Sequence, residues 1–307
     1  MQYHLNGYHN GDPSVAERHE GGPAHSDAVD VLIVGCGPAG LTLAAQLSAF
    51  PEISTRIVDR KPGPLEVGQA DGVACRSVEM FEAFEFAEKV LKESYWVSEV
   101  AFWRPDANRT GLTRADRIQD VEDGMSEMPH VILNQARVHD MYLDVMQRSP
   151  HRLQPDYNRR LDSLTITPGD THPVTAVLIH KIESPDTGEM SEIRETVKAR
   201  YLVGCDGARS AVRGAMGLEL KGDSANKAWG VMDVLAVTDF PDIRQKTLIQ
   251  ATGSGALLII PREGGYMARI YVEMETLGKG ERVRNRNISL EDLIAAAQQI
   301  FRPHKFE

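Results

Sequence analysis

Val29-Asp30-Val31-Leu32-Ile33-Val34-Gly35-Cys36-Gly37-Pro38-Ala39-Gly40 is an apolar run that breaks into glycines, and Leu41-Thr42-Leu43-Ala44-Ala45-Gln46-Leu47 follows with helical character. A strand, a tight turn and a helix in that order give the G-x-G-x-x-G spacing a meaning it lacks alone. Gly35 permits the turn, Gly37 lets a pyrophosphate approach the backbone, and Gly40 lets helix and strand pack closely. The N–H groups that open the helix are free to receive phosphate oxygens. A second apolar strand, Thr55-Arg56-Ile57-Val58, ends at Asp59, about 20 residues past the last glycine, where a carboxylate accepts adenosine ribose hydroxyls. An acid at that place disfavours NADP in this pocket and leaves FAD and NAD as the candidates.

With 307 residues, 42% of them hydrophobic, the chain can build one large domain or two interleaved ones. Net charge is −10 and Lys and Arg form no cluster on a helix face, so nucleic acid and anionic membrane are excluded as expected partners. Cys36, Cys75 and Cys205 show no C-x-x-C spacing, which points to a reducing, cytoplasmic location. Residues 1–28 are polar and carry His4, His9, His19 and His25 at spacings that match no metal-ligand pattern. A flexible tail is expected there, with no signal peptide, no membrane span and no metal site.

The pattern predicts an α/β fold. A Gly/Pro-rich loop covers 60–72, a helix 75–91, a strand 95–103, loop and hairpin 104–128, and a helix from the Asn134 cap to Arg148. Val174 to Glu183 and Ile193 to Val197 read as a hairpin around the turn Ser184-Pro185-Asp186-Thr187-Gly188-Glu189, followed by a separate buried strand, Arg200 to Gly204. Three more strands, 229–238, 256–260 and 266–275, predict a second sheet, and Ser289 caps a last helix. The domain reading is a tail at 1–28, a dinucleotide-binding domain from 29–95 and 130–225, a substrate-binding sheet from 96–129 and 226–288, and the start of a helix at 289–307.

A second glycine signature, Cys205-Asp206-Gly207-Ala208-Arg209-Ser210, turns the choice toward a flavin. With the blocks Asp30–Gly40, Gly68-Gln69-Ala70-Asp71-Gly72 and Ile259-Ile260-Pro261-Arg262-Glu263, in that order, the chain resembles the class A flavoprotein aromatic hydroxylases, phenol 2-monooxygenase branch. The resemblance implies a Rossmann-like FAD-binding domain interleaved with a β-sheet substrate domain. It implies a monooxygenase using FAD, NADPH and O2 on a small phenolic substrate, expected to be 3-hydroxybenzoate converted to protocatechuate. No second dinucleotide fingerprint is present, in keeping with transient use of NADPH. Such relatives are commonly homodimers, and no segment here identifies an interface. One family signature, Gly-Asp-Ala-x-His, is absent: Gly11-Asp12, Gly169-Asp170 and Gly222-Asp223 do not continue that way. The chain is therefore expected to correspond to the first half of such an enzyme, with its C-terminal part missing.

Carried over residue by residue, the resemblance makes Asp71 the general base for the phenolic proton and places Gln69 beside the flavin. Without it, Asp71 is an ordinary turn residue before Gly72. Met267, Arg269, Tyr271 and Glu273 share one face of their strand by alternation, opposite Ala268, Ile270 and Val272. The resemblance lets Tyr271 bond the phenolic oxygen or flavin, puts Arg262 near the flavin, and gives Arg269, Lys246 and His130 to the substrate, Lys246 and His130 as partners of its carboxylate. It assigns Gly35, Gly37, Gly40, Asp59, Gln69, Gln135 and Asp206 to the cofactor; the competing reading of Asp206 is a helix cap. Two other readings stay open: a catalytically inactive fragment, and a hydroxylase of a polyketide-like phenol, which needs no pocket cation.

Overall fold

The computed structural model describes residues 15–16, 27–67, 70–183, 190–222, 227–251, 255–276 and 288–307. In chain order the elements are β1 (Ala28–Val34), α1 (Pro38–Leu47), β2 (Thr55–Val58), β3 (Gly72–Val73), α2 (Cys75–Ala83), α3 (Ala87–Glu93), β4 (Tyr95–Val97), β5 (Glu99–Pro105), β6 (Leu112–Gln119), β7 (His130–Ile132) and α4 (Gln135–Arg148). Then follow β8 (Arg159–Ile166), β9 (Val174–Glu183), β10 (Met190–Gly204), α5 (Ala211–Ala215), β11 (Lys227–Val234), β12 (Lys246–Gln250), β13 (Ala256–Pro261), β14 (Ala268–Thr276) and α6 (Leu290–Phe301). The fold is α/β with mixed sheets, and it divides into two compact units. One takes the described residues of Met1–Gly68 and Gln135–Lys221, the other those of Gln69–Asn134 and Gly222–Glu307.

The first unit holds a five-stranded sheet in the order β2-β1-β10-β9-β8. β2, β1 and β10 run parallel, and β9 and β8 continue antiparallel. β10 differs from the expectation. The hairpin strand and the strand at 200–204 are one continuous element, because its first ten residues pair with β9 while its end, from Lys198 to Gly204, runs beside β1. Nor is its end buried: Tyr201 is 68% exposed. The core of this unit joins Leu32, Val34, Val58, Leu161, Leu178 and Val197. On α4 the side chains of Val138, Met141, Tyr142 and Met146 are buried at helical spacing, and the Thr42 hydroxyl of α1 donates to the Tyr142 hydroxyl at 2.7 Å.

The second unit holds a six-stranded sheet, β11-β14-β13-β12-β5-β6, and a small sheet, β3-β7-β4. Residues 69–95 and 130–134, expected beside the nucleotide loop, pack here, since β3 and β4 both pair with β7. The expected helix at 75–91 is two helices. Glu85 between them has φ +63°, outside helical geometry, and Phe86 turns inward to meet Phe81 with ring centroids 4.8 Å apart. The expected strand at 95–103 is likewise two: β4 belongs to the small sheet and β5 to the large one. One face of the large sheet is dry, with Ala101, Trp103, Ile249, Leu257, Ile259, Ile270 and Val272 packed against Ile300 and Phe301 of α6. α6 opens with a capping box in which Ser289 and Asp292 bond each other's backbone.

Candidate active site

At the glycine loop the three glycines do different work. A Cβ on Gly35, whose φ is +113°, would lie 2.4 Å from the Cys205 carbonyl oxygen, and one on Gly40 would lie 1.9 Å from the Gly35 carbonyl oxygen. Around Gly37 the space within 4 Å is open. The loop is thus locked against its own unit on two sides and bare on the third, where a pyrophosphate can reach backbone N–H groups. Asp59 accepts from the Cys36 N–H at 2.7 Å and the Lys61 N–H at 2.8 Å, which places its carboxylate against the loop. These residues fit a bound dinucleotide. Burial and the nearby Asp59 push the Cys36 thiol far up, so it serves as a small packing residue.

Asp206 is engaged locally. Ser210 Oγ donates to its Oδ1 at 2.5 Å, and the N–H groups of Ala211 and Val212 donate to Oδ2 at 2.6 and 3.2 Å. The Asp206 carboxylate thus acts locally as a cap on the turn into α5, as the competing reading has it. Gln135 opens α4 in the same unit. Gln69 lies outside the described residues.

In the second unit Asp71 is 4% exposed and lies just before β3. Its Oδ2 receives Arg262 Nη1 at 2.8 Å and also Arg269 Nη1; its Oδ1 is buried with no hydrogen-bond partner among the described residues. Each arginine is matched by a further acid. Arg262 donates Nε and Nη2 to Glu263 at 3.0 and 2.9 Å, and Arg269 donates Nε and Nη2 to Asp233 at 2.7 and 2.8 Å. With each guanidinium held this way, burial raises the Asp71 carboxyl above its ordinary value; Arg262 and Arg269 oppose the rise, while Glu263 and Asp233 add to it. Arg262 and Arg269, expected at the flavin and the substrate, are thus first of all partners of Asp71.

The register of the large sheet extends this site. Phe102, Leu248, Leu258, Tyr271 and Val231 pair successively across five strands and so form one row on the face opposite the dry core. Beside it, Asp233 pairs with Arg269 and Arg269 with Ile260. Lys246 stands one residue along from the Thr247–Ile259 pair and so shares the face of Ile260. Tyr271 lies on the Arg269 face, as alternation predicts, within hydrogen-bonding reach of that guanidinium.

Lys246 and His130 do come together, through a residue the sequence reading missed. Asp120, just after β6, accepts from Lys246 Nζ at 2.7 Å with Oδ1 and meets His130 Nδ1 at 2.7 Å with Oδ2. Burial works against the Asp120 charge, but the bonds from Lys246 and His130 outweigh it and hold the carboxyl below its ordinary value. Nothing in the charged stretch 104–128 marks Asp120 out among its acidic neighbours. Glu263, by contrast, lies within a quoted sequence block, and Asp233 would have followed from alternation along β11. Among the described residues no His/Cys/Asp/Glu group could hold a metal ion, and no helix is long and apolar enough to cross a membrane.

A profile of the FAD binding domain family matches residues 28–307. The chain belongs to that family. It is 58% identical over 313 residues to 3-hydroxybenzoate 4-monooxygenase of Comamonas testosteroni, covering 100% of this chain and 48% of that protein. It is 38% identical over 289 residues to the FAD-dependent monooxygenase terD of Aspergillus terreus, covering 92% and 44%. The fold is shared with the flavin-dependent monooxygenase PieE, solved with FAD and substrate, at TM-score 0.67 and 19% identity over 91% of this chain and 49% of that one. It is shared also with p-nitrophenol 4-monooxygenase PnpA of Pseudomonas putida, at TM-score 0.69 and 15% identity over 92% and 67%. The chain spans about half the length of the curated relatives it matches. Membership of an FAD-binding family makes FAD, not NAD, the cofactor.

Proposed function

We propose that this chain is the FAD- and substrate-binding part of an NADPH-using monooxygenase that hydroxylates 3-hydroxybenzoate para to its hydroxyl, giving protocatechuate. The observation that carries the reading is Asp71, whose Oδ2 is fixed by two arginines while its buried Oδ1 has no partner among the described residues. A carboxylate bonded at one oxygen and without a partner at the other supports the reading of a base for the phenolic proton, and its raised pKa improves it as a base. Identity of 58% to a 3-hydroxybenzoate 4-monooxygenase supports the choice of substrate.

Bound FAD supplies the redox and oxygen chemistry, with NADPH as hydride donor. The chain's residues do the rest. Asp71 Oδ1 takes the proton that makes the ring electron-rich, and Arg262 and Arg269 keep Oδ2 in place. Tyr271 bonds the phenolic oxygen, Phe102, Leu248 and Leu258 receive the ring, and Lys246 with His130 receives the carboxylate. Gly35, Gly37, Gly40, Asp59, Gln135 and the backbone at Asp206 hold the cofactor.

The test is a visible spectrum after FAD loading and removal of free FAD, followed by NADPH oxidation with and without 3-hydroxybenzoate. Retained flavin, substrate-stimulated oxidation and protocatechuate as product are expected. Asp71→Asn should cut hydroxylation by about 10²-fold or more while FAD is retained. Retained flavin with oxidation indifferent to 3-hydroxybenzoate would refute the substrate, and an Asp71→Asn variant of undiminished rate would refute the base.

A further inference from the structure

We infer that the Asp120–His130–Lys246 site takes up a proton on His130 when it receives the carboxylate of its aromatic substrate, with Asp120 as the positioning residue that makes this possible; the inference rests on the phenolic-acid reading above. Asp120 Oδ2 is 2.7 Å from His130 Nδ1 and Oδ1 is 2.7 Å from Lys246 Nζ, while Lys246 Nζ and His130 Nδ1 are 3.5 Å apart. An ionised carboxylate can only accept, so Nδ1 carries the imidazole hydrogen. In a neutral ring the other nitrogen, Nε2, then presents a lone pair. That nitrogen faces Gly72, where a Cβ would lie 3.3 Å from it.

A lone pair is the wrong partner for a carboxylate, and Lys246 already has its charge matched by Asp120. The side chains are 11%, 18% and 22% exposed for Asp120, His130 and Lys246, so an added carboxylate would leave one uncompensated charge in a largely dry site. A proton on Nε2 removes both objections at once: the count becomes two anions against two cations, and the lone pair becomes a donor. Asp120 stabilises the imidazolium through Nδ1, as a carboxylate does when it orients a histidine. Among the described residues that flank His130, none supplies a free cation. Val97, opposite His130 on β4, is uncharged; on α2, which packs against β7, Arg76 and Glu79 bond each other; and Asp71, next to Gly72, is held by its two arginines.

The experiment is calorimetric titration of the flavin-loaded protein at pH 8, in phosphate and in Tris, with 3-hydroxybenzoate and with 3-hydroxybenzyl alcohol. The alcohol keeps the phenolic hydroxyl that meets Asp71 and lacks only the carboxylate, so any protonation at Asp71 cancels in the comparison. The acid should take up about one proton more than the alcohol, the proton that His130 Nε2 receives. His130→Gln should remove the difference and Asp120→Asn should reduce it, with melting midpoints recorded for both variants. Equal uptake for the two ligands, or a difference that survives His130→Gln, overturns the inference. The wild-type comparison carries this test even where a variant fails to fold. Binding of the alcohol without the acid, or of neither, instead overturns the substrate reading, and the inference falls with it.

Discussion

Asp71 carries the surplus charge of its cluster. Three carboxylates, those of Asp71, Asp233 and Glu263, face the guanidiniums of Arg262 and Arg269, and the deepest of the three is Asp71. The charge count gives opposite outcomes for two substitutions in one cluster. Asp71→Asn removes the surplus charge, so its melting midpoint at pH 7 should equal or exceed that of the parent although activity is lost. The sign follows from the raised folded pKa: ionised Asp71 costs stability at neutral pH, a cost that fades as pH falls through that raised value, so the variant's advantage should fade with it. Arg269→Met leaves Asp71 and Asp233 short of a cation and should cost about 3–5 kcal/mol in denaturant unfolding. An Arg269→Met variant as stable as the parent would mean the cluster is not held by charge.

At the scale of the elements, the glycine loop and the helix start are where single atoms decide the backbone. Gly40→Ala would set a Cβ 1.9 Å from the Gly35 carbonyl oxygen, so β1 and α1 could not both keep their places. The expected result is loss of retained flavin with a fall in melting midpoint; a variant that holds FAD normally would show that the loop adjusts. For α6, Ser289→Ala removes half of the capping box and should lower the unfolding free energy by about 1 kcal/mol, read from the denaturant midpoint. Both elements were legible in the sequence, since strand-turn-helix order and a Ser-x-x-Asp cap depend on neighbours in the chain. The break between α2 and α3 was not legible, because it depends on Phe86 turning inward to Phe81.

Across the whole molecule, several acids sit below their ordinary values. Hydrogen bonds from Ser54 do this for Asp30 and one from Arg269 for Asp233, while Arg56 and Arg159 outweigh burial at Glu195, and Arg262 does so at Glu263. With Asp120, each contributes stability above its unfolded value of about 4, and that contribution is lost as pH falls through the depressed folded value. The melting midpoint should therefore hold from pH 8 to about pH 5 and fall steeply below about pH 4. A midpoint that rises toward pH 3 would contradict the pairing seen at these acids.

The sequence by itself determined the dinucleotide loop, its acid at Asp59, the α/β class and the alternation that puts Arg269 and Tyr271 on one face of β14. These rest on short-range order, where periodicity and turn chemistry act between residues close in the chain. Only the tertiary structure decided that Arg262 and Arg269 meet Asp71 across sequence separations of 191 and 198, and that Asp120 ties Lys246 to His130. Such pairings follow from strand register and from two distant stretches of chain, Gln69–Asn134 and Gly222–Glu307, folding into one unit, and a lone charged residue in a loop carries no local mark of the partner it will find.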